Sequence, residues 1–171
     1  TAHELYQKGI ETLDPELRSL IISNEVRHFE TPELITSLIE RYRTTPSADL
    51  QMDICSGLTS TKNPVTIEKL LLIIKDSAVV RSQDAFRWFV YLIRNRDSRQ
   101  AAWQWLTQSW DWIEKTYGGD KSFDDFPRYA ATGLATREQL DEYVKFFTPM
   151  IDVPALARVI QLGISEITAR V

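Results

Sequence analysis

The stretch that decides the fold is residues 103–119, WQWLTQSWDWIEKTYGG, which holds four of the chain's five tryptophans. Apolar residues recur in it at a 3-4-3-4 spacing, which places them on one stripe of an α-helix. The residues of this stripe are Trp103, Leu106, Trp110, Ile113 and Tyr117. The stretch therefore predicts a helix, and the glycine pair Gly118-Gly119 marks its end.

Two further tryptophans widen the apolar surface of this helix. Trp105 and Trp112 lie seven residues apart, and at about 100° per residue they fall well round from the stripe. The apolar arc then covers roughly half of the helix. A helix with so wide an apolar arc needs neighbours on more than one side, which predicts stacked helical layers.

The rest of the chain repeats the signals of helix starts. Asp14-Pro15-Glu16 and Thr31-Pro32-Glu33 each combine a capping side chain, a proline at the first helical position and an acid in the first turn. The segment 82–95 is apolar almost all round, and its length and helical neighbours favour a central buried helix over a buried strand. Further predicted starts are Ser47, Asn63, Ser82, Asp97, Asp124, Thr136 and Asp152-Val153-Pro154.

These patterns predict an all-α fold of about nine helices, because no segment shows sustained strand-like alternation. The helix starts at Pro32 and Pro64 lie 32 residues apart, close to the period of a two-helix repeat. We therefore expect a HEAT-like α-solenoid of stacked antiparallel helix hairpins. No linker divides the chain, so residues 1–171 are expected to form a single helical-repeat domain.

Composition argues against two classes of partner. The net charge of -4 and the lack of basic runs argue against nucleic acid, and the longest aliphatic run, residues 70–74, is too short to span a membrane. The only cysteine, Cys55, rules out an intrachain disulfide and is compatible with the cytoplasm, which we predict as the localisation. Since Thr1 begins neither a secretory signal nor a start with methionine, we expect a piece of a longer protein.

Motifs for catalysis are missing from the sequence. The histidines His3 and His28 form no His-Glu-x-x-His pair, and a single cysteine excludes a cysteine-rich zinc site. There is no phosphate loop, dinucleotide fingerprint or nucleophile elbow. Cys55 shares an apolar helical face, so we interpret it as a core residue, and a Cys55–His28 catalytic pair is the distant alternative. We predict no catalytic or metal-binding residue in this chain.

A cluster of arginines at a helix corner allows two interpretations. Arg94, Arg96 and Arg99 bracket Asp97. They could form an anion site, for example for a peptide carboxylate, since guanidinium groups fit carboxylates. Alternatively, they could cap the carbonyls of the preceding helix and pair with Asp97, which is the interpretation we favour.

From Arg81 onward, the order and spacing of motifs resemble a known family, the C-terminal helical domain of aminopeptidase N-type zinc aminopeptidases. The motifs are Arg81-Ser82-Gln83-Asp84, the corner 94–99, Ala102-Trp103, Trp110-Asp111-Trp112, the segment 136–140 and Phe146-Phe147. Residues 117–120 and 163–167 are most similar to the bacterial, lactic-acid-type branch. The chain departs from the family at the corner, where Arg96 and Ser98 replace a proline and a glycine, which bears on the geometry of that turn.

The resemblance implies a parent enzyme that removes N-terminal residues from peptides, with a zinc-bound water as nucleophile and a glutamate as general base. That machinery, including the zinc, would belong to an upstream catalytic domain. This domain would cover the active site and restrict peptide entry, so the implied partners are the upstream domain and peptide substrates. The alternative is a free-standing HEAT-like scaffold that binds a partner protein along its concave face.

Five residues are candidates for these contacts. By charge and position, Arg81, Arg99 and Arg128 are expected to touch the carboxylate end of a peptide. Trp105 and Trp112 are expected either to pack on the next helical layer or to mark where the upstream domain docks.

Overall fold

The computed structural model describes residues 1–171, and these form eleven α-helices, two short 3-10 segments (Ile10–Thr12 and Thr148–Met150) and no β-strand. The predicted all-α class is confirmed. No helix is both long enough and apolar enough to cross a membrane. The helices are α1 Ala2–Gln7, α2 Pro15–Phe29, α3 Pro32–Thr44, α4 Ala48–Leu58, α5 Pro64–Ile73, α6 Ser82–Arg94, α7 Arg99–Gln108, α8 Trp110–Tyr117, α9 Asp125–Gly133, α10 Arg137–Phe147 and α11 Ala157–Thr168.

The structure has two helices more than the predicted nine. One is α1, and the other arises because the tryptophan stretch divides into α7 and α8 at Ser109. Ser109 has φ -103° and ψ 11°, away from helical values. Its backbone N–H still donates to Trp105 O at 2.8 Å, and its carbonyl accepts from Ile113 N at 3.0 Å. The break is thus a local departure of the dihedral angles at a residue type with weak helix propensity.

Five of the predicted capping side chains lie at the start of a helix. The caps of α2, α3, α4, α5 and α10 are confirmed, since each side chain accepts a hydrogen bond from a backbone N–H of the first turn. These five caps are Asp14, Thr31, Ser47, Asn63 and Thr136. Each such cap is worth about 1 kcal/mol of stability.

Three other predicted starts differ from the structure in part: Asp124 does occupy the cap position of α9, but neither it nor Ser82 caps its helix with its side chain. Arg81, rather than Ser82, occupies the cap position of α6, and no side chain caps that helix. The Asp124 carboxylate binds Arg128 instead of a backbone N–H of α9. The last helix begins at Ala157 rather than after Asp152, because residues 151–156 form turns, with Leu156 N donating to Val153 O at 2.9 Å.

The chain divides into two compact units, Thr1–Ser98 and Arg99–Val171. In the first unit, α2 packs against α1 and α4, and α4 also packs against α3 and α6. As predicted, α6 is buried on most sides, and its Trp88 donates a hydrogen bond to the buried Tyr42 hydroxyl at 3.2 Å. This pairing of neighbouring helices is compatible with an α-solenoid.

The contact between α2 and α4 depends on a glycine. A Cβ atom at Gly57 would lie 2.2 Å from Cγ2 of Ile22, which is fully buried. Because Gly57 lacks that atom, α2 and α4 approach closely enough for the Ser60 hydroxyl to donate to the Ser23 hydroxyl at 3.1 Å. The first unit therefore tolerates little added volume at this position.

In the second unit, α11 packs against α9 and α10, and α7 packs against α8 and α9. All five residues of the predicted tryptophan stripe are buried, so that prediction is confirmed. Their aromatic partners come largely from α10: Trp103 stacks on Tyr143 with ring centroids 5.8 Å apart, and Trp110 meets Phe147 edge-on at 5.4 Å. Such aromatic pairs add about 0.5–1.5 kcal/mol each beyond their buried area.

Candidate functional site

A groove of the second unit lies between α9 and α11 and has a volume of about 390 Å³. We name it the α9–α11 groove. Aliphatic and charged side chains line it together, so it offers both an apolar surface and polar groups that could orient a small ligand. The lining residues are Asp124, Arg128, Ala155, Arg158, Val159, Leu162, Gly163 and Glu166.

Close packing fixes the walls of this groove. A Cβ atom at Gly163 would lie 2.3 Å from the Tyr143 hydroxyl oxygen, so only glycine fits there. The Tyr143 hydroxyl is buried and donates to Pro127 O at 3.0 Å, and burial raises the pKa of this hydroxyl. At the other end, Arg170 donates to Ala131 O and Leu134 O, each at 2.6 Å, and so ties the end of α9 to the end of α11.

Some charged side chains of the groove have an ion-pair partner, and one has none. Arg128 is paired with Asp124 at 2.8 Å and with Asp125 at 3.6 Å. Burial and the neighbouring Asp124 raise the pKa of the Asp125 carboxyl. Glu166 meets Arg170 at 3.4 Å. The Arg158 guanidinium has no hydrogen-bond or ion-pair partner, so it is the uncompensated cation of the groove.

Sequence reasoning missed Arg158, although a signal for it exists. Its neighbours three and four positions away along the helix include no aspartate or glutamate. A helical arginine without such a neighbour has no local ion pair. Arg128 was predicted as a contact residue, and the structure places it in the same groove as Arg158.

The other predicted arginines lie elsewhere. Arg81 is at the start of α6 in the first unit, where its Nε atom donates to Asp84 at 2.9 Å. It borders a polar cavity of about 440 Å³ that Arg43 also lines. Arg99 is the first residue of α7 and is half-buried. Within the second unit, Arg99 does not line the α9–α11 groove together with Arg128. The role of the three arginines in peptide contact stays a prediction.

The corner between α6 and α7 is built as a structural turn. The side-chain nitrogen of Asn95 donates to Thr59 O at 2.9 Å and to Thr61 O at 2.8 Å. Asp97 was a predicted helix cap, but its carboxylate instead accepts from Arg27 at 3.0 Å and lies 3.9 Å from Arg96. Of the favoured interpretation, the structure shows only the approach of Arg96 to Asp97, and the closer cation, Arg27, comes from α2. Capping of the α6 carbonyls by the three arginines stays a prediction.

The two outlying tryptophans lie together. Trp105 is buried and Trp112 is half-buried, and their rings meet edge-on with centroids 6.0 Å apart. Trp112 also meets Tyr117 at 5.8 Å. Their suggested role in packing or docking stays a prediction.

Cys55 and the histidines do not form a reactive site. Cys55 is fully buried, and this burial raises the pKa of its thiol well above the usual value. A nucleophilic cysteine needs the opposite shift and some exposure. His3 instead approaches the buried Glu25 at 2.8 Å. No group of three or more histidine, cysteine, aspartate or glutamate side chains is placed to hold a metal ion.

Comparison with known proteins places this chain in a family. The sequence profile of the ERAP1-like C-terminal domain matches residues 1–169. The chain belongs to the ERAP1-like C-terminal domain family. This confirms the predicted resemblance.

Relatives of this ERAP1-like C-terminal domain include aminopeptidases of lactic acid bacteria, as the sequence predicts. Aminopeptidase N of Lactobacillus helveticus is 35% identical over 99% of this chain, and aminopeptidase N of Lactococcus lactis subsp. lactis is 30% identical over 98% of it. Glutamyl aminopeptidase of Bitis rhinoceros is 29% identical over 66% of the chain. The ERAP1-like C-terminal domain spans only 20% of the length of each bacterial relative.

Proposed function

We propose that this chain is the C-terminal domain of a zinc aminopeptidase, which removes N-terminal residues from peptides in the cytoplasm. The domain covers the active site of the parent enzyme and shapes the access of peptides, without catalysis of its own. The observation that carries this proposal is the family match over residues 1–169, together with relatives named aminopeptidase N. Since the chain spans a fifth of those relatives, the catalytic residues belong to the remaining part.

Zinc and the upstream catalytic domain enter this proposal as parts of the parent enzyme. The residues of this chain do not fit a zinc site, because no three potential ligands converge. We therefore assign no step of the reaction through zinc to them. Within the proposal, residues 1–171 act as one domain that contacts both the upstream domain and the peptide substrate.

An activity assay on the isolated chain tests the proposal. We expect residues 1–171 to release no product from an aminoacyl chromogenic substrate and to bind no stoichiometric zinc. The open reading frame upstream of Thr1 should encode a His-Glu-x-x-His motif, whose spacing suits two zinc ligands on one helical face. Turnover by the isolated chain together with bound zinc would contradict the proposal.

Substitution of the three predicted arginines in the parent enzyme tests their contact with peptide. Arg81→Ala, Arg99→Ala and Arg128→Ala are each expected to raise KM for long peptides by up to about tenfold, because each removes a charge-assisted hydrogen bond to the peptide carboxylate. The matched control is Arg137→Ala, since that side chain is exposed and lines none of the described cavities. Unchanged KM for long peptides in all three variants would refute the predicted contacts.

Trp105 and Trp112 are proposed as the part of the second unit that meets the upstream domain. The partial exposure of Trp112 beside the buried Trp105 supports this role, since aromatic side chains often anchor interfaces.

A further inference from the structure

The α9–α11 groove has features that the proposed function does not use. It combines an unpartnered guanidinium, the exposed carboxylate of Glu166 and an aliphatic surface in one volume of about 390 Å³. We propose that this groove binds a zwitterionic aliphatic α-amino compound, either a free amino acid such as leucine or a very short peptide. Both carry a free α-carboxylate and a free α-ammonium group.

The carboxylate of such a ligand is recognised at the start of α11. Arg158 lies in the first turn of this helix, and its guanidinium is uncompensated. The helix has no capping side chain and no acid in its first turn. Since the N-terminal end of a helix favours negative charge, it adds to the attraction of Arg158 for a carboxylate, which a guanidinium group binds through paired hydrogen bonds.

The ammonium group is recognised by a carboxylate further along the groove. Glu166 is 53% exposed, and its only ion pair is the 3.4 Å contact with Arg170. Arg170 is already held by two backbone carbonyls at 2.6 Å, so it neutralises Glu166 weakly. The Asp124 carboxylate lines the same groove but already pairs with Arg128 at 2.8 Å, so Glu166 is left to meet the ammonium group.

The order of these groups along α11 suits a zwitterion with an aliphatic side chain. Arg158, Leu162 and Glu166 follow each other at intervals of four residues and so line one side of α11. At 1.5 Å per residue the outer two Cα atoms are about 12 Å apart. Leu162 lies between them and is 52% exposed, which offers an apolar surface to the ligand's side chain.

If the parent enzyme is an aminopeptidase, as the proposed function states, the bound compound is also a product of its reaction. Free amino acids are the products of N-terminal cleavage, so this groove would let a product bind to the C-terminal domain. The binding itself depends only on this chain and is measured without any enzyme activity. Failure of the proposed function therefore leaves the binding test intact.

An NMR titration of residues 1–171 tests the proposal with four probes. Leucine is expected to shift the backbone signals of Arg158, Leu162 and Gly163 at concentrations up to about 20 mM, a range suited to a ligand of so few atoms. N-acetyl-leucine lacks the ammonium group and leucinamide lacks the carboxylate, so each is expected to bind at least about tenfold more weakly. Leucyl-leucine distinguishes a free amino acid from a short peptide as the ligand. If leucyl-leucine binds more tightly than leucine does, the ligand is a short peptide.

Two charge-neutralising variants complete the test. Arg158→Gln and Glu166→Gln are each expected to weaken leucine binding about tenfold, and far-UV circular dichroism shows whether they remain folded. Arg137→Gln changes an exposed arginine outside the groove and should leave binding unchanged. No shift with leucine or leucyl-leucine, equal affinity for N-acetyl-leucine, or unchanged affinity in Arg158→Gln would each overturn the proposal.

Discussion

Replacing Gly57 by alanine is expected to lower the free energy of unfolding by about 3 kcal/mol, the upper part of the usual range for overpacking. The added Cβ would lie 2.2 Å from Cγ2 and 2.9 Å from Cβ of Ile22. Ile22 is fully buried, so it cannot swing away, and α2 and α4 must move apart. Chemical denaturation followed by circular dichroism measures the loss.

Whether Gly57→Ala raises or lowers the free energy of unfolding decides whether α2 and α4 are in close contact. In a helix interior without a clash, alanine stabilises relative to glycine by about 1 kcal/mol, so a stabilising Gly57→Ala would contradict the close contact of α2 and α4. Gly119→Ala is the matched control, since nothing lies within 4 Å of its added Cβ. Its effect should stay within about 0.5 kcal/mol.

The same substitution at Gly163 is expected to destabilise the second unit by a similar amount, about 3 kcal/mol. Its added Cβ would lie 2.3 Å from the Tyr143 hydroxyl oxygen and 3.1 Å from Cβ of Ala131. The hydroxyl cannot rotate away without losing its hydrogen bond to Pro127 O. Thermal or chemical unfolding monitored by tryptophan fluorescence reports this unit, because four of the chain's five tryptophans lie in it.

A double substitution separates this clash from a general effect on α11. Tyr143→Phe removes the clashing oxygen, so Gly163→Ala combined with Tyr143→Phe should cost less than the sum of the two single changes. Strict additivity would argue against the contact. Gln161→Ala, at an exposed position of the same helix, should change stability by less than about 0.5 kcal/mol.

The features predicted correctly from sequence are those set by local chemistry. Thr31 and Asn63 cap their helices because the side chain and the backbone N–H it binds are only two or three residues apart. The buried tryptophan stripe follows from helical periodicity alone. Family resemblance supplied the functional class, since the sequence contains none of the catalytic motifs that could indicate it.

The features that were missed depend on residues far apart in sequence. Asp97 was expected to cap a helix, but it pairs with Arg27, seventy residues away. The need for glycine at position 57 is set by Ile22 on another helix. Arg158 could be recognised as a binding residue only once α9 and α11 were seen to form a groove around it. Periodicity and capping rules contain no information on such pairings.

The most direct test of the central claim compares the parent enzyme with and without residues 1–171. The claim is that this domain shapes peptide access and takes no part in the chemistry. The ratio of kcat/KM for a long peptide to kcat/KM for a dipeptide should change when the domain is deleted, and adding back separately produced residues 1–171 should restore it. Turnover of the small substrate shows that the shortened enzyme is folded. A ratio that stays the same after deletion, in an enzyme that still turns over the small substrate, would contradict the account.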